Sequence, residues 1–253
     1  MATYGLVGKT LSHSFSKRYF EETYGFNSTN SPNSYINFEL ANIADITSVI
    51  KSYPDLAGFN VTIPYKNEII PYIDQLSNDA AQIGAVNVIK VIEDDSKGLK
   101  ILEGHNTDHL GFKDAILPLL RPNHTTAIVI GNGGASDSVR FALDEMGIEN
   151  VCCCRNPKRN DDLTFDLLNR RHFENYKVLI NTTPLGTWPE ISQMPPIPVE
   201  FIDERHLVFD LVYNPEETML MRESKSRGAV VSNGLQMLRN QANLALQIWG
   251  IKS

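Results

Sequence analysis

The segment from residue 126 to residue 136, TAIVIGNGGAS, constrains the fold of this chain more than any other. Residues 127–130 form a short, unbroken apolar run, as expected for a strand that is buried on both faces of a parallel sheet. Glycines follow at 131, 133 and 134, and apolar residues then recur at helical spacing from Val139. A strand, a glycine turn and a helix in this order predict an α/β fold with a dinucleotide site at the end of the strand.

Each small residue of the turn has a predicted role in that site. Gly131 permits the tight turn, and Gly133 lets the backbone approach a diphosphate that lies on the helix N-terminus. The third small residue of the usual pattern falls at Ser136, so the match is to a variant pattern. The predicted cofactor contacts are therefore Gly131, Asn132, Gly133, Gly134, Ala135 and Ser136.

The residues after the next apolar run indicate which dinucleotide binds. About twenty residues after its glycine turn, an NAD site carries an acidic residue that binds the ribose hydroxyl. Here the run at 151–154 leads instead into the cationic segment 155–159, RNPKR. Arg155 and Arg159 suit the 2′-phosphate of NADP, which a guanidinium can bind with two hydrogen bonds. The alternative is a solvated basic turn with no ligand.

Composition excludes several classes of function. The chain has 253 residues, of which 42% are hydrophobic and 21% charged, and its net charge is -7. These values fit a globular protein and argue against partners such as nucleic acid or an anionic membrane surface. The first residues lack the charged and apolar regions of a signal peptide, and no apolar run is long enough to span a membrane. We therefore expect a cytoplasmic protein.

The three cysteines are consecutive, at positions 152, 153 and 154. They have neither the spacing of a zinc site nor that of a CxxC redox pair. On a strand their side chains alternate between faces, so we expect them to act as small apolar residues, with no metal in the protein.

Two polar clusters stand out in the first half of the chain. Ser14 and Ser16 precede a stretch of helical spacing, where Ser16 could be an N-cap and both hydroxyls could receive a carboxylate beside the helix N–H groups. Asn60, Thr62 and Lys66 follow a predicted strand, and Pro64 takes the chain out of the sheet. Ligands of open α/β sheets bind at such strand ends.

The alternation of strands and helices predicts two α/β domains. Apolar runs at 88–92 and 99–102 predict a β-hairpin, and a helix predicted over 109–120 would lead into the second domain. We place a substrate-binding domain at 1–104 and a Rossmann-type, doubly wound dinucleotide-binding domain at 105–234. A C-terminal helix predicted over 235–249 would return to the first domain.

With these segments identified, the whole chain resembles the shikimate dehydrogenase family, and its motifs occur in that family's order. The matching motifs are residues 13–16 (HSFS), 60–66 (NVTIPYK), 84–87 (GAVN), 104–108 (GHNTD), 131–136, 210–215 (DLVYNP) and 234–241 (GLQMLRNQ). Lys17, Cys154 and Thr187 depart from the pattern, where relatives often have Pro, Asn and Met.

The resemblance implies an enzyme of aromatic amino acid biosynthesis that interconverts 3-dehydroshikimate and shikimate with NADPH. It implies that Lys66 and Asp108 form the catalytic pair, in a cleft between the domains. The implied substrate contacts are Ser14, Ser16, Asn60, Thr62, Asn87, Tyr213 and Gln241, and Thr182 and Gly234 join the cofactor contacts. We expect a monomer or a homodimer.

Two alternatives remain open from the sequence. One is a quinate/shikimate dehydrogenase of broader substrate and cofactor range, for which an acidic residue after the second strand of the cofactor domain would be the sign. The other is a catalytically silent NADP(H)-binding regulator on the same fold, which the loss of Lys66 or Asp108 would favour; both residues are present.

Overall fold

The computed structural model describes residues 2–11, 15–94, 99–157 and 159–251, with only the backbone of Asp94. The chain divides into two compact units. The first comprises Met1–Thr107 with Ala242–Ser253, and the second comprises Asp108–Gln241. None of the helices in the described ranges has both the length and the apolar content of a membrane span.

The first unit is built on a mixed six-stranded sheet. Its strands are β1 (Ala2–Gly8), β2 (Asn33–Glu39), β3 (Leu56–Val61), β4 (Gln75–Leu76), β5 (Val88–Asp94) and β6 (Leu99–His105), in the order β2-β1-β3-β5-β6-β4. β1 pairs in parallel with β2 and β3, whereas β5 is antiparallel to both β3 and β6. The β5–β6 pair confirms the predicted hairpin. This unit also contains the helices α1 (Phe15–Tyr24), α2 (Ile46–Ser52) and α3 (Asn78–Ile83).

The second unit is built on a parallel five-stranded sheet. Its strands are β7 (Thr126–Ile130), β8 (Glu149–Cys153), β9 (Val178–Asn181), β10 (Leu207–Asp210) and β11 (Val230–Asn233), in the order β11-β10-β9-β7-β8. The chain winds outwards in one direction from β7 to β8 and in the other from β9 to β11. The switch point between β7 and β9 is where ligands bind in sheets of this kind.

Helices cover both faces of this second sheet: α4 (Asp108–Ile116), α5 (Gly134–Glu145), α6 (Arg170–Asn175), α7 (Met219–Lys225) and the first half of α8 (Leu235–Trp249). Alternate residues of β7 enter opposite cores. Val129 packs with α4, α5 and α8, whereas Ile128 packs with Phe173 of α6 and Leu220 of α7. A strand buried on both faces explains the continuous apolar run in the sequence.

The C-terminal helix returns to the first unit, as predicted. Ala245, Leu246 and Trp249 are buried in a cluster with residues of β1 and α1. The Trp249 indole donates a hydrogen bond to the carbonyl of Ile89 in β5 at 3.0 Å.

The predicted end of the helix at 109–120 is wrong. α4 ends at Ile116, and a 3₁₀ turn follows over Leu117–Leu119. Pro118 explains the difference, because a proline inside an α-helix lacks the N–H for its hydrogen bond and its ring meets the carbonyl four residues earlier.

Candidate active site

The segment after β3 holds Lys66 between two fixed points. Tyr65 is buried and donates its hydroxyl to the carbonyl of Leu40 at 2.6 Å. The carbonyl of Lys66 accepts the backbone N–H of Val86 at 2.8 Å. Thr62 and Lys66 are half-buried, so their side chains have partial access to solvent at the carboxyl end of β3.

Two asparagines predicted to bind substrate come together in the first unit. Asn60, on β3, donates its amide to the carbonyl of Asn87, just before β5, at 3.4 Å. Asn87 in turn bonds Thr107, which directly precedes Asp108. Asn60, Asn87 and Thr107 are all buried.

The paired serines are only partly described. Ser14 lies outside the described residues. Ser16 lies in the first turn of α1, which begins at Phe15, so its interpretation as an N-cap is wrong. The earlier start places Phe15 one turn from Tyr19, and their rings stack at 5.6 Å between centroids.

Asp108 and Gln241 belong to helices that pack closely in the second unit. Asp108 is buried and is the first residue of α4, where the helix dipole favours negative charge. Gly111 lies three residues later, and a Cβ there would come within 3.1 Å of Gln241 Cβ. Asn240 Nδ2 also donates to the carbonyl of Gly111 at 3.3 Å. Gly111 therefore lets α8 approach the α4 face that carries Asp108.

Gly131 could not be replaced without strain. Its φ is +109°, and a Cβ there would meet the Thr182 hydroxyl oxygen at 2.6 Å. That hydroxyl donates to the carbonyl of Ile130 at 2.7 Å. The predicted cofactor contact Thr182 thus adjoins the turn, at the end of β9 beside the switch point.

The start of α5 offers a site for an anion. Gly133 is the N-cap, no side chain caps the helix, and a Cβ at Gly133 would meet no atom within 4 Å. Gly134, Ala135 and Ser136 form the first turn, where backbone N–H groups are not used within the helix. The Ser136 hydroxyl is buried without a hydrogen-bond partner among the described residues. Open space, unused donors and this hydroxyl all fit a dinucleotide diphosphate.

The glycine turn is tied to the basic segment after β8. Asn132 Nδ2 donates to the carbonyl of Asn156 at 2.7 Å. Arg155 and Arg159 flank that residue and are exposed, as binding a phosphate requires. The carbonyl of Cys153 also accepts the N–H of Gly131 at 2.9 Å. The predicted 2′-phosphate and diphosphate contacts therefore lie on adjacent, connected loops.

A buried ion pair fixes the far end of the basic segment. Arg140 of α5 bonds Asp162 Oδ1 at 3.2 Å, and both side chains are buried. The other oxygen, Asp162 Oδ2, accepts the backbone N–H of Arg159 at 3.0 Å. α5 therefore positions both the diphosphate end and the basic end of this candidate site.

The structure adds a polar network around Asp210, which the sequence analysis did not assign to the site. Asp210 ends β10, and its carboxylate accepts from Asn181 Nδ2 at 2.8 Å, the Thr218 hydroxyl at 2.7 Å and the N–H of Val212 at 3.0 Å. Burial raises the pKa of Asp210 to about 6, and these three donors limit the rise. The network joins the loops after β9 and β10. An acidic residue at the end of an apolar strand is the signal that could have identified it.

Tyr213 and Gly234 lie near this network. Tyr213 is half-buried in the loop after β10. A Cβ at Gly234 would come within 2.1 Å of the carbonyl oxygen of Leu211. Residue 234 thus packs too closely against this loop to carry a side chain, which explains a glycine there independently of its predicted contact with the cofactor.

The cysteines fit packing better than metal binding. All three are free and buried, and burial raises the pKa of the Cys153 thiol to about 12. Cys152, Cys154 and Asp162 bring potential ligand atoms within 4.8 Å of one another. However, the carboxylate of Asp162 already faces the Arg140 guanidinium, and burial also raises the pKa of Cys152. A metal needs thiolates and would meet that positive charge.

Comparison with known proteins extends the likeness over the full chain. The family model of the shikimate dehydrogenase substrate binding domain matches residues 6–89. A shikimate dehydrogenase (NADP(+)) of Clostridium botulinum is 34% identical over 100% of this chain and 99% of its own length. One of Methanosphaera stadtmanae is 33% identical over 97% of this chain and 90% of its own.

A solved structure has the same fold across both units. The shikimate 5-dehydrogenase of Thermus thermophilus, in complex with NADP(H) and shikimate, aligns with a TM-score of 0.81 and 30% identity. The alignment covers 98% of this chain and 93% of that one. The strand order, the motifs and these matches lead to one conclusion: the chain belongs to the shikimate dehydrogenase family.

Proposed function

We propose that this chain catalyses the reversible oxidation of shikimate to 3-dehydroshikimate with NADP, as a step of aromatic amino acid biosynthesis. The observation that carries the proposal is the end-to-end match to a shikimate dehydrogenase (NADP(+)), at 34% identity over 100% of this chain. The lysine and aspartate of the family motifs are both present, at 66 and 108.

The turn after β7 is proposed to hold the cofactor, which supplies or accepts the hydride when bound. Backbone N–H groups of residues 133–136 would donate to the diphosphate, and the buried Ser136 hydroxyl would gain a partner. Arg155 and Arg159 would bind the 2′-phosphate through charge-assisted hydrogen bonds. Thr182 and Gly234 remain predicted contacts, in the loops that adjoin this turn.

The proposed substrate contacts suit a small hydroxy acid. Ser16, together with the predicted Ser14, would receive the carboxylate at the start of α1. Thr62, Asn87 and Gln241 would bond the ring hydroxyls, and Tyr213 remains a predicted contact. A site that hydrogen-bonds each hydroxyl discriminates against analogues that lack one, because its own polar groups would be left unpaired.

Lys66 is the proposed proton donor and acceptor for the reacting oxygen. Shikimate oxidation releases a proton from its hydroxyl, and the reverse reaction requires one at the ketone oxygen. Asp108 would act with the lysine by holding a substrate hydroxyl and balancing the ammonium charge. The anchored backbone on either side of Lys66 supports a fixed position for this group.

We further propose that the protein acts in the cytoplasm as a monomer or homodimer. Three free cysteines fit a reducing compartment. Sedimentation equilibrium at micromolar concentration, with and without NADP, distinguishes the two oligomeric states.

Steady-state kinetics test the proposed reaction. Shikimate and quinate are each oxidised with NADP and with NAD, and absorbance follows formation of the reduced cofactor. We expect the highest kcat/KM for shikimate with NADP. Comparable rates with quinate or NAD would favour the enzyme of broader range. NADP binding without turnover of either substrate would favour the silent regulator.

A further inference from the structure

A chain of buried hydrogen bonds crosses the first sheet from its edge towards the predicted substrate contacts. It begins at Tyr35 on the edge strand β2, whose hydroxyl donates to Asn60 Oδ1 at 2.7 Å. Asn60 then donates its amide to the carbonyl of Asn87 at 3.4 Å. Both ends of the Asn60 amide are therefore used inside the protein, and only 6% of this residue is exposed.

This series of hydrogen bonds ends at Asn87 and Thr107, which are joined by two hydrogen bonds. The backbone N–H of Thr107 donates to Asn87 Oδ1 at 2.7 Å, and Asn87 Nδ2 lies 3.0 Å from the Thr107 hydroxyl. A backbone N–H can only donate, so this pair fixes which end of the Asn87 amide carries the nitrogen. It also connects Asn87 to the residue directly before Asp108.

Tyr35, where this series of hydrogen bonds begins, is held by its neighbours and keeps its hydroxyl proton. Burial raises the pKa of Tyr35 well above its usual value, so its hydroxyl remains a donor. Its ring stacks on Phe20 at 4.5 Å between centroids. The Asn27 side chain bonds both the N–H and the carbonyl of Tyr35 at 2.9 Å, which occupies the open edge of the sheet.

We infer that Tyr35 and Asn60 are positioning residues for substrate binding, and that Asn60 acts through Asn87, whose backbone carbonyl accepts its amide hydrogen bond. The inference rests on the proposed function, in which Asn87 binds shikimate and Asp108 acts with Lys66. A buried polar network whose members are all satisfied orients its groups in a unique way, which an apolar core would not do. Here the network ends at Asn87, which is proposed to bind substrate, and at Thr107, which directly precedes Asp108, and the side chains of Asn87 and Asp108 must be oriented for the proposed reaction.

Tyr35→Phe removes one hydroxyl and leaves the ring packing intact. Thr3→Val is the matched control, because Thr3 is buried in the same sheet and its hydroxyl donates to Asp55 Oδ2 at 2.8 Å. That bond lies at the start of β1 and leads to no predicted site residue. Tyr35→Phe leaves the buried Asn60 Oδ1 without its donor, and Thr3→Val removes the hydrogen bond of a buried hydroxyl to the exposed Asp55, so both substitutions are expected to destabilise folding.

The kinetic effects separate positioning from packing. We expect Tyr35→Phe to lower kcat/KM for shikimate by about 3- to 30-fold, with an unchanged KM for NADP. We expect Thr3→Val to keep kcat/KM within about twofold. If both variants lose stability and both keep wild-type kinetics for shikimate, the network is only structural and the inference is overturned.

A double-mutant cycle tests whether Asn60 acts through Asn87. The variants are Asn60→Ala, Asn87→Ala and the double change, each checked for folding by circular dichroism. If Asn60 acts through Asn87, its loss should add less than about twofold once Asn87 is gone. Fully multiplicative losses would instead assign Asn60 a direct contact with the substrate and overturn the inference.

The rate of shikimate oxidation by the wild-type protein distinguishes failure of the inference from failure of the proposed function. A wild-type protein that does not oxidise shikimate would refute both. An active wild type with unaffected Tyr35→Phe kinetics would refute the inference alone. If Asn60→Ala does not fold, Tyr35→Phe combined with Asn87→Ala completes the same cycle.

Discussion

Alanine substitutions at two glycines of the same turn should have different effects, one mainly on the stability of the fold and the other mainly on cofactor binding. Gly131 and Gly133 lie in the same turn after β7, but the space available for a side chain differs between them. Gly131 has a positive φ and faces Thr182, whereas a Cβ at Gly133 would meet no protein atom within 4 Å. Gly131→Ala and Gly133→Ala are therefore a matched pair.

Gly131→Ala should reduce the free energy of unfolding by about 2–4 kcal/mol. A non-glycine residue held at φ near +109° costs roughly 1–3 kcal/mol. The new Cβ would also lie 2.6 Å from the Thr182 hydroxyl, which must then give up its 2.7 Å hydrogen bond to Ile130. Losing that bond adds about 0.5–1.5 kcal/mol.

Gly133→Ala should leave stability within about 1 kcal/mol of the wild type. Its φ of -95° and ψ of -177° are ordinary for alanine. Alanine is a poorer N-cap than glycine by roughly 0.5–1.5 kcal/mol, and the reduced entropy of the unfolded chain offsets part of this cost. The methyl group would occupy the space proposed for the diphosphate, so NADP binding should weaken by about 1–3 kcal/mol, or roughly 5- to 150-fold in Kd.

Urea unfolding followed by circular dichroism measures the stabilities, and calorimetric titration measures NADP affinity. We expect opposite patterns: an unstable Gly131→Ala and a stable Gly133→Ala that binds NADP poorly. A stable Gly133→Ala with wild-type NADP affinity would refute the proposed position of the diphosphate. A fully stable Gly131→Ala would refute the strain argument.

Three further predictions concern single side chains. Arg155→Asp should weaken NADP binding by about 1.5–3 kcal/mol and NAD binding much less, because only NADP loses a charge-assisted phosphate contact; equal losses in a titration with each cofactor would contradict this. Ser16→Ala should raise KM for shikimate while NADP affinity stays constant, and equal loss of both would indicate a folding defect in α1. For Asp210 the folded pKa of about 6 lies above the ordinary aspartate value of 3.8, so its protonation stabilises the fold at low pH, and this contribution is lost as pH rises through about 6. The stability advantage of the wild type over Asp210→Asn should thus shrink by about 2 kcal/mol between pH 4 and pH 7 in urea titrations, and an advantage that grows with pH would contradict the raised pKa.

Local patterns predicted the elements whose structure depends on their own sequence. The strand over Thr126–Ile130 and its glycine turn follow from a buried apolar run and from glycine's access to positive φ. The C-terminal helix has the predicted bounds, Leu235–Trp249, because its apolar face repeats at helical spacing over fifteen residues. The helix after Asp108 is shorter than its apolar pattern predicts, because Pro118 cannot continue it.

Long-range pairing was not predictable in the same way. The two-residue strand Gln75–Leu76 pairs with β6 and carries too few residues for any periodic pattern. Asp210 meets Asn181 and Thr218 only because β9 and β10 are neighbours in the sheet. The internal bonds of Asn60 likewise depend on Tyr35 and Asn87, which lie 25 and 27 residues away along the chain. The cofactor roles of the glycine turn, Arg155 and Arg159 came from local pattern, whereas the catalytic pair and the substrate contacts came from the family resemblance, and all these roles stay predictions.

The rate of a folded Lys66→Ala variant tests the central claim most directly. If Lys66 transfers the proton during shikimate oxidation, kcat with NADP should fall by about 10²–10⁴-fold while shikimate still binds. Asp108→Asn should also be slow, and the double change should be little worse than the slower single change, because the two residues act as a unit. A folded Lys66→Ala with near-normal kcat and a raised KM would contradict this account, since the lysine would then only bind substrate.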